Sequence, residues 1–483
     1  MIDGLTSIHR WLAIPLAPFF AMWFASGIVM HFVPFPSLTE AERIAGLAPI
    51  DLASVAHGPA EAVQASRSTD ATRVRLIERS DGPVYVVSSS AGVVALRAAD
   101  LSSAAVHAAA LAGTIAADHA RRRGLDPHAV GVAEPVVRDQ WTVAGDLDRH
   151  RPLYRVALND AAGTELYVSS ATGEVVRDTT RRERWWNALG SIPHWIYVTA
   201  LRERPGLWTA VLWTLSLAGT LAALAGSLLG IMRISRQNAG LVSPYRDWHA
   251  WHHWGGLVCM TFVLTWIFSG WLSMDDGRLF PGARLTADEA ATLAGPPEAW
   301  PRAQPRFIGE PAKEIAWFRL NGILYQRDRL DLQHQHLVVA TADAQTLASH
   351  PDDLTPREMS ALAQRLSPRC VTSVVDSETD AYAATTPMPG APIYRVACGE
   401  VWFDIDGAGG AVMQRLDASQ RAYRWLYRAP HTLDVPALTA HPALRSALIV
   451  VLCGCGLAFS LTGCVIAWRR LGFWLRALVH RAG

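Results

Sequence analysis

Seven histidines lie at the ends of long apolar stretches of this chain. They form two groups: His9, His249, His252 and His253 in one, and His31, His194 and His431 in the other. An ionisable ring in or beside a membrane span is costly and rare, so each is a functional-site hypothesis by default. His249 and His253 have the i, i+4 spacing of one helix face. No third ligand or H-E-x-x-H motif accompanies them, which disfavours a zinc site.

The sequence carries the same pattern twice, and the repeat pairs these histidines. The stretch HRWLAIPLAPFFAMWFASGIVMHF aligns with HHWGGLVCMTFVLTWIFSGWLSMD, and RWWNALGSIPHW aligns with RWLYRAPHTL. The aligned residues are His9 with His252, Ser26-Gly27 with Ser269-Gly270, and Pro193-His194 with Pro430-His431. We therefore expect two histidine pairs, one toward each face of a membrane, each straddling a pseudo-twofold axis along the membrane normal.

The elements that must position these residues are four apolar stretches of the length that spans a bilayer. They cover residues 11–33, 207–232, 254–274 and 447–468. A transmembrane helix needs about 20 apolar residues. The first stretch is too long for a signal peptide and has no small-residue cleavage site, so we predict a retained anchor.

The distribution of arginines predicts the orientation of the chain in the membrane. The connection between the second and third spans and the tail after the fourth are basic, with Arg233, Arg236, Arg246, Arg469, Arg470, Arg476 and Arg481 against one acid, Asp247. The positive-inside rule places both regions in the cytoplasm. We therefore expect a multi-pass membrane protein with both termini cytoplasmic and both long loops on the outer side. The net charge of +1 gives no reason to expect nucleic-acid binding.

Two cysteines, Cys370 and Cys398, lie outside the spans, and the other four lie within them. A single pair in an exported loop predicts a disulfide. Each long loop also predicts a helix, over 101–122 and 356–366, followed by a small antiparallel meander with turns such as Asn159-Asp160 and Thr172-Gly173.

The predicted fold is therefore a membrane α-helical bundle with α+β modules. Four transmembrane helices form a duplicated pair of hairpins, and each hairpin carries one periplasmic module. The predicted segments are a helix at 1–33, a module at 34–204, a helix at 205–233, a cytoplasmic loop at 234–252, a helix at 253–275, a module at 276–444, a helix at 445–470 and a tail at 471–483.

In this order, the HRW and HHW span starts, the SG pairs and the P-x-Y-R-V meander resemble the PepSY-associated transmembrane family over almost the whole chain. The resemblance implies periplasmic PepSY-like modules and a ferrisiderophore reductase of the bacterial inner membrane that binds haem b. Some members of the family carry an added flavoprotein module. Because this chain ends soon after its fourth span, we expect any flavin reductase to be a separate protein.

With haem implied, the histidine pairs become axial ligands, since a bis-imidazole iron takes one ring from each side. There is no C-x-x-C-H motif, so the expected cofactor is noncovalent haem b, two per chain. The axial ligands predicted from the repeat are His9, His252, His194 and His431. His253 or His249 could replace His252, and His31 or Met274 could replace an outer ligand. Arg184 and Arg424 are candidate partners of haem propionates.

The predicted function is electron transfer to a ferric siderophore or another ferric chelate at the periplasmic face, which releases Fe(II) for uptake. The electron donor is expected to be a cytoplasmic flavoprotein or a quinol. Two other classes stay open: a PepSY-type binding or regulatory membrane protein without redox activity, and a transporter. A transporter is disfavoured because the spans contain neither buried carboxylates nor broken helices.

Overall fold

The computed structural model describes residues 2–482 except 128–129, 238–239, 276, 283, 297–298, 341–347 and 385–387. The chain divides into two compact units. The helical unit comprises Met1–Phe35, Trp185–Pro281 and Gln420–Gly483, and the sheet unit comprises Pro36–Arg184 and Gly282–Ser419.

The α-helices, numbered in chain order, are α1 (Ile2–Phe32), α2 (Glu40–Ala45), α3 (Pro59–Ala65), α4 (Ala109–Arg122), α5 (Arg181–Leu189), α6 (Ser191–His194), α7 (Thr199–Arg202), α8 (Pro205–Arg233), α9 (Asp247–Leu272), α10 (Ala287–Ala294), α11 (Pro356–Leu366), α12 (Ala418–Tyr423), α13 (Ala429–Thr432), α14 (Pro436–Thr439) and α15 (Pro442–Ala482). Short 3-10 helices occupy Leu52–Ser54 and Gly145–His150, and a π-helix occupies Arg424–Arg428.

Four helices of the helical unit are long and apolar enough to cross a membrane: α1, α8, α9 and the Pro442–Trp474 part of α15. This agrees with the four predicted spans, and α1 at Ile2–Phe32 matches the helix predicted at 1–33. Helix α1 packs against α8 and α15, and α9 packs against the same two helices. Helices α1 and α9 are therefore diagonal partners in a four-helix bundle, the arrangement that lets side chains of facing helices meet in a bundle core.

The strands are β1 (Arg73–Arg79), β2 (Gly82–Ser89), β3 (Gly92–Arg97), β4 (Glu134–Val136), β5 (Leu153–Ala157), β6 (Glu165–Ser169), β7 (Val175–Thr179), β8 (Ser235–Gln237), β9 (Gly240–Val242), β10 (Glu314–Leu320), β11 (Ile323–Arg329), β12 (Gln335–Val339), β13 (Ala348–Ser349), β14 (Cys370–Val375), β15 (Ile393–Cys398), β16 (Val401–Asp406) and β17 (Val412–Leu416).

Strands from both long loops build one sheet in the sheet unit. Its order is β13-β12-β11-β10-β1-β2-β3, and the antiparallel β1–β10 pair joins the two loops, from Arg73 opposite Phe318 to Ile77 opposite Glu314. Each loop also forms a four-stranded antiparallel sheet, β4–β7 or β14–β17. Helix α4 packs on the first of these sheets, and α11 packs on the second. Where sequence analysis predicts two separate modules, the structure has a single unit with a shared sheet.

A buried charge cluster ties the two loops of the sheet unit together. Glu314 is fully buried and accepts hydrogen bonds from Arg43 at 2.9 Å and Arg75 at 3.1 Å. Arg75 also binds both carboxylate oxygens of Glu174, at 2.7 and 2.8 Å. Burial alone would raise the pKa of Glu314, but the charges of Arg43, Arg75 and Arg327 hold that pKa well below its usual range. Removing one partner would leave an uncompensated buried charge, which typically costs about 3–5 kcal/mol.

His119 of α4 is 5% exposed, and its ring lies against Gly46, where an added Cβ would sit 2.0 Å from Cε1. Burial, followed by the charges of Arg123, Arg122 and Arg43, lowers the pKa of His119 to about 3. The native ring therefore stays neutral at pH values where the unfolded chain takes up a proton.

This difference predicts acid lability of the sheet unit. Below the unfolded-state pKa of about 6.5, each pH unit should cost about 1.4 kcal/mol of unfolding free energy through His119, until the native pKa is reached. His119→Phe should flatten the dependence between pH 6.5 and 5. The measurement is hydrogen exchange of the β1 and β2 amides in the full chain, corrected for intrinsic rates. His107→Gln, at an exposed position, is the control and should leave the pH dependence unchanged. If the unfolding free energy of His119→Phe falls with pH as steeply as that of the native chain, the prediction is contradicted.

Cys370 and Cys398 form a disulfide, and they lie directly opposite each other on β14 and β15. The bond therefore closes one end of the β14–β15 pair. The other four cysteines, Cys259, Cys453, Cys455 and Cys464, are free thiols on the long helices of the helical unit.

Candidate metal centres

The first histidine pair comprises His9 of α1 and His252 of α9, the diagonal helices of the bundle. The ring centroids are 6.3 Å apart and the ring planes are inclined by 35°. Each ring is anchored through Nδ1 to one of the other two long helices. His9 Nδ1 lies 2.9 Å from the Ala222 carbonyl oxygen of α8, and His252 Nδ1 lies 2.9 Å from Thr462 Oγ1 of α15.

The second histidine pair comprises His194 of α6 and His431 of α13. Their ring centroids are 6.4 Å apart and the planes are inclined by 70°. His194 Nδ1 lies 3.0 Å from Ser26 Oγ near the end of α1, and His431 Nδ1 lies 3.0 Å from Ser269 Oγ near the end of α9. Both serines are fully buried. The short helices α6 and α13 thus bring their histidines onto the diagonal helices that also carry the first pair.

Hydrogen-bond accounting assigns one tautomer to all four rings. A carbonyl only accepts, so His9 donates from Nδ1 to Ala222. The three hydroxyls have one proton each, and each gives it to a backbone carbonyl: Ser26 to Met22 at 2.6 Å, Ser269 to Trp266 at 3.0 Å and Thr462 to Phe459 at 2.6 Å. In this assignment the hydroxyls accept from the imidazoles. With the proton on Nδ1, each Nε2 keeps the lone pair that binds a metal.

These Nε2 atoms make no hydrogen bond within the part of the chain that the structure describes. Metal–imidazole bonds of about 2.0–2.1 Å on both sides of one ion place the two ring centroids roughly 6 Å apart. The observed separations of 6.3 and 6.4 Å match that value. An outer partner on the non-ligating nitrogen is also the usual support of a metal-binding histidine. The residues of both pairs therefore fit a bis-imidazole iron such as that of haem b.

A glycine on a neighbouring helix lies against each ring. An added Cβ would lie 2.6 Å from His9 Cε1 at Gly226 and 3.5 Å from His252 Cε1 at Gly463. The corresponding distances are 3.6 Å from His194 at Gly27 and 3.3 Å from His431 at Gly270. Small residues at these positions let the flat rings approach the helix backbone closely.

Gly226 is the tightest of these contacts, and it supplies a prediction. Gly226→Ala should push the His9 ring away from Ala222, because a Cβ also comes within 2.8 Å of Nδ1. We expect haem to be lost from the first pair and kept at the second, measured as haem per chain after purification. Gly454→Ala is the control, since an added Cβ there meets nothing within 4 Å. A Gly226→Ala protein with unchanged haem content would contradict the prediction.

Two indoles hold the backbone beside the second pair. Trp23 Nε1 donates to the His194 carbonyl at 3.0 Å, and Trp266 Nε1 donates to the Pro430 carbonyl at 2.7 Å. The π-helix Arg424–Arg428 lies immediately before α13, and such single turns often occur at functional sites. In that turn, the ring of Tyr427 lies 5.5 Å from that of His431, centroid to centroid.

The two pairs lie at opposite ends of the bundle. Ser26 follows His9 by 17 residues on α1, and Ser269 follows His252 by 17 residues on α9. At a rise of 1.5 Å per residue, the pairs are about 25 Å apart along the helices. That distance is close to the roughly 30 Å thickness of a bilayer core.

The other candidate ligands have different surroundings. His253 is buried, and both its nitrogens are engaged, Nδ1 with Ser243 Oγ at 2.8 Å and Nε2 with the Gly230 carbonyl at 2.9 Å. His249 is exposed. His31 Nε2 lies 2.8 Å from Ser446 Oγ. Met274 is half-buried, just beyond the end of α9. Of the adjacent histidines, His252 is therefore the one placed to bind a metal.

The two predicted propionate partners already interact with other groups of this chain. Arg184 donates to Thr179 Oγ1 at 2.7 Å and to the Gly163 carbonyl at 2.8 Å, all within the sheet unit. Arg424 is buried in the helical unit, 3.3 Å from the Asp434 carboxylate. Among the described residues, no group of three or more His, Cys, Asp and Glu could hold a metal ion, so a zinc-type cluster is not found there.

The repeat in the sequence identifies the four histidines of the two pairs, but it does not identify the groups that are hydrogen-bonded to their Nδ1 atoms. Ser26 and Ser269 enter the sequence analysis only as aligned residues of the repeat, and Ala222, Thr462 and the two indoles do not enter it. The signal that could have found some of these groups is that residue types recur at a fixed distance within each part of the repeat. Residues 9, 26 and 27 recur as the same types 243 positions later, and 194 and 226 recur 237 positions later.

No protein-family model matches the chain, and no curated protein matches its sequence.

Proposed function

We propose that the protein is a two-haem membrane electron carrier that reduces a ferric chelate, such as a ferric siderophore, outside the cytoplasm. The observation that carries this proposal is the pair of sites about 25 Å apart in one bundle. In each site, two imidazole rings lie 6.3 or 6.4 Å apart, centroid to centroid, each is bonded through Nδ1, and no Nε2 makes a hydrogen bond among the described residues. A purely anchoring bundle would not need four such rings.

The chain's own residues would do three things. His9 with His252, and His194 with His431, would hold the haem group through their Nε2 atoms. Bound there, haem b supplies one-electron transfer between ferric and ferrous iron. The neighbouring carbonyl and hydroxyls would hold each ring at a set angle, and Phe24, Val263 and Ile449 would exclude water between the sites. Electron transfer between two fixed ligand sets requires no proton-transfer residue.

The proposed orientation places the second pair at the outer face. Four crossings alternate in direction, so the segments 36–184 and 282–419, which follow α1 and α9, leave the membrane on one side. The connection 233–247 and the tail after residue 468 lie on the other side and are rich in arginine, which places them in the cytoplasm. We infer an inner-membrane protein with cytoplasmic termini and a periplasmic sheet unit.

The recurrence of the ligand set, 243 positions later for His9 and 237 positions later for His194, supports a duplicated hairpin as the origin of the bundle. Its two halves would be parallel repeats about an axis along the membrane normal. The substrate class comes from the resemblance to PepSY-associated transmembrane proteins, which also implies PepSY-like outer modules. The donor would be a cytoplasmic flavoprotein or a quinol that meets the first pair.

The proposed function can be tested with the purified protein reconstituted in liposomes. A membrane-impermeant reductant is enclosed, ferric chelate is added outside, and an external Fe(II)-specific dye reports the product. We expect Fe(II) to form with haem-loaded protein and not with empty liposomes. Haem-loaded protein that forms no external Fe(II) would overturn the assigned reaction. Protein that binds no haem would instead favour a binding or regulatory role.

A further inference from the structure

We propose that the first pair, His9 and His252, has the lower reduction potential, so that electrons run from it to the second pair. The inference rests on the proposed function, because it concerns haem held by these histidines. What carries it is a difference between the hydrogen-bond acceptors of the two pairs. Thr462 and Gly226 are then positioning residues that act through His252 and His9.

The acceptors of the second pair are alike, and those of the first are not. His194 and His431 both donate to a serine hydroxyl at 3.0 Å. His9 donates at 2.9 Å to the Ala222 carbonyl, and His252 donates at 2.9 Å to Thr462. The repeat explains this difference: Gly226 corresponds to Gly463, so Ala225 stands where the other half has Thr462. Without a hydroxyl at 225, His9 reaches over Gly226 to the helix backbone.

An amide carbonyl is a stronger acceptor than an alcohol oxygen. The hydroxyls do not separate the two pairs, since Thr462 donates to the Phe459 carbonyl at 2.6 Å and Ser26 of the second pair donates to the Met22 carbonyl at the same distance. A hydroxyl that donates strongly also accepts more strongly. Thr462 and Ser26 should therefore accept alike, and what separates the pairs is the Ala222 carbonyl, which pulls the Nδ1 proton of His9 further from its ring.

Stronger donation from Nδ1 makes Nε2 a more basic ligand. A more basic ligand favours ferric over ferrous iron, and second-shell hydrogen bonding is one of the protein's means of setting haem potential. The first pair should therefore hold its electron less tightly than the second. Each electron lost by the donor is gained by one ferric ion of the substrate, which becomes Fe(II), and no heavy-atom bond forms or breaks.

The experiment is an equilibrium potentiometric titration of the full-length protein loaded with haem b in detergent, followed by its absorption bands. His431→Ala identifies the potential of the first pair by disturbing the second. In the native protein, we expect two potentials, with the first pair lower. Thr462→Val keeps the side-chain shape and removes the acceptor. It should raise the first-pair potential by a tenfold change in the reduction equilibrium, or about 59 mV, and leave the second unchanged.

Thr462→Ser should restore the native value, which a merely structural role would not predict. Ser269→Ala is the matched variant and should move the second potential alone. Equal or reversed potentials in the native protein, or a Thr462→Val protein with an unshifted first potential, would overturn this inference. If the Thr462→Val protein loses haem, the inference is tested by the native protein alone, in which the first pair must have the lower potential. A protein that binds no haem would overturn the proposed function instead.

Discussion

His252→Ala is expected to purify with about one haem per chain instead of two. The remaining imidazole, His9, would offer a single axial bond, and a bundle that loses one of two opposing ligands holds haem less tightly. Because His252 Nδ1 is bonded only to the Thr462 side chain, its removal should leave the backbone of both helices unchanged. The second pair, about 25 Å away, should keep its haem and low-spin spectrum.

The adjacent histidine provides the control. His253→Gln keeps a donor toward the Gly230 carbonyl and an acceptor for Ser243, and should retain both haems. The measurement is the pyridine haemochrome content per chain of each purified variant. If His253→Gln loses one haem and His252→Ala loses none, the ligand assignment is wrong.

His431→Ala is expected to abolish reduction of the external ferric chelate. The second site, which we propose to face outward, would lose a ligand and release its haem or hold it high-spin, so electrons would have no exit. The effect should exceed the 10–100-fold loss that follows removal of an outer hydrogen-bond partner. The first site should still be reduced by a donor on the cytoplasmic side, which stopped-flow absorbance would report separately from Fe(II) formation.

Two variants show whether this loss is specific. Ser269→Ala removes only the acceptor of His431 Nδ1 and should weaken rather than abolish reduction. His31→Ala should keep both haems, since His31 Nε2 is bonded to Ser446. A His431→Ala protein with two low-spin haems and normal chelate reduction would show that His431 is not a ligand, and His31 and Met274 would be tested next.

Local patterns predicted much of this structure. The four spans follow from hydropathy alone, and the helix expected over 356–366 is α11 with the same bounds. The meander turns also follow from local chemistry, since Asn159 and Gly173 have positive φ values of 54° and 70°. Each of these features depends on neighbouring residues, so sequence reasoning reaches it.

Contacts between residues that are far apart in the sequence could not be predicted from local patterns. The helix expected over 101–122 starts only at Ala109, because the preceding segment pairs elsewhere: the Ala104 amide donates to Ala95 and the Val106 amide to Ser170. The β1–β10 pairing joins strands about 240 residues apart, and strand alternation does not specify partners over such separations. The shared sheet was therefore not foreseen.

In the candidate site, too, some features could be predicted from the sequence and others depend on contacts between residues far apart in it. Repeat alignment placed His9 on His252 and His194 on His431, and both pairs meet in the structure. It could not separate His252 from His253, because that choice depends on where Ser243, Gly230 and Thr462 lie. It also could not show that Arg184 is already bonded to Thr179 and Gly163.

The most direct test of the account is the haem content of the native protein, expressed with adequate haem supply and purified in mild detergent. The measurement combines pyridine haemochrome content per chain with reduced-minus-oxidised and low-temperature magnetic resonance spectra. The account predicts two noncovalent b-type haems per chain, both low-spin with two imidazole ligands. A colourless protein, or one whose haem is high-spin at both sites, would contradict it.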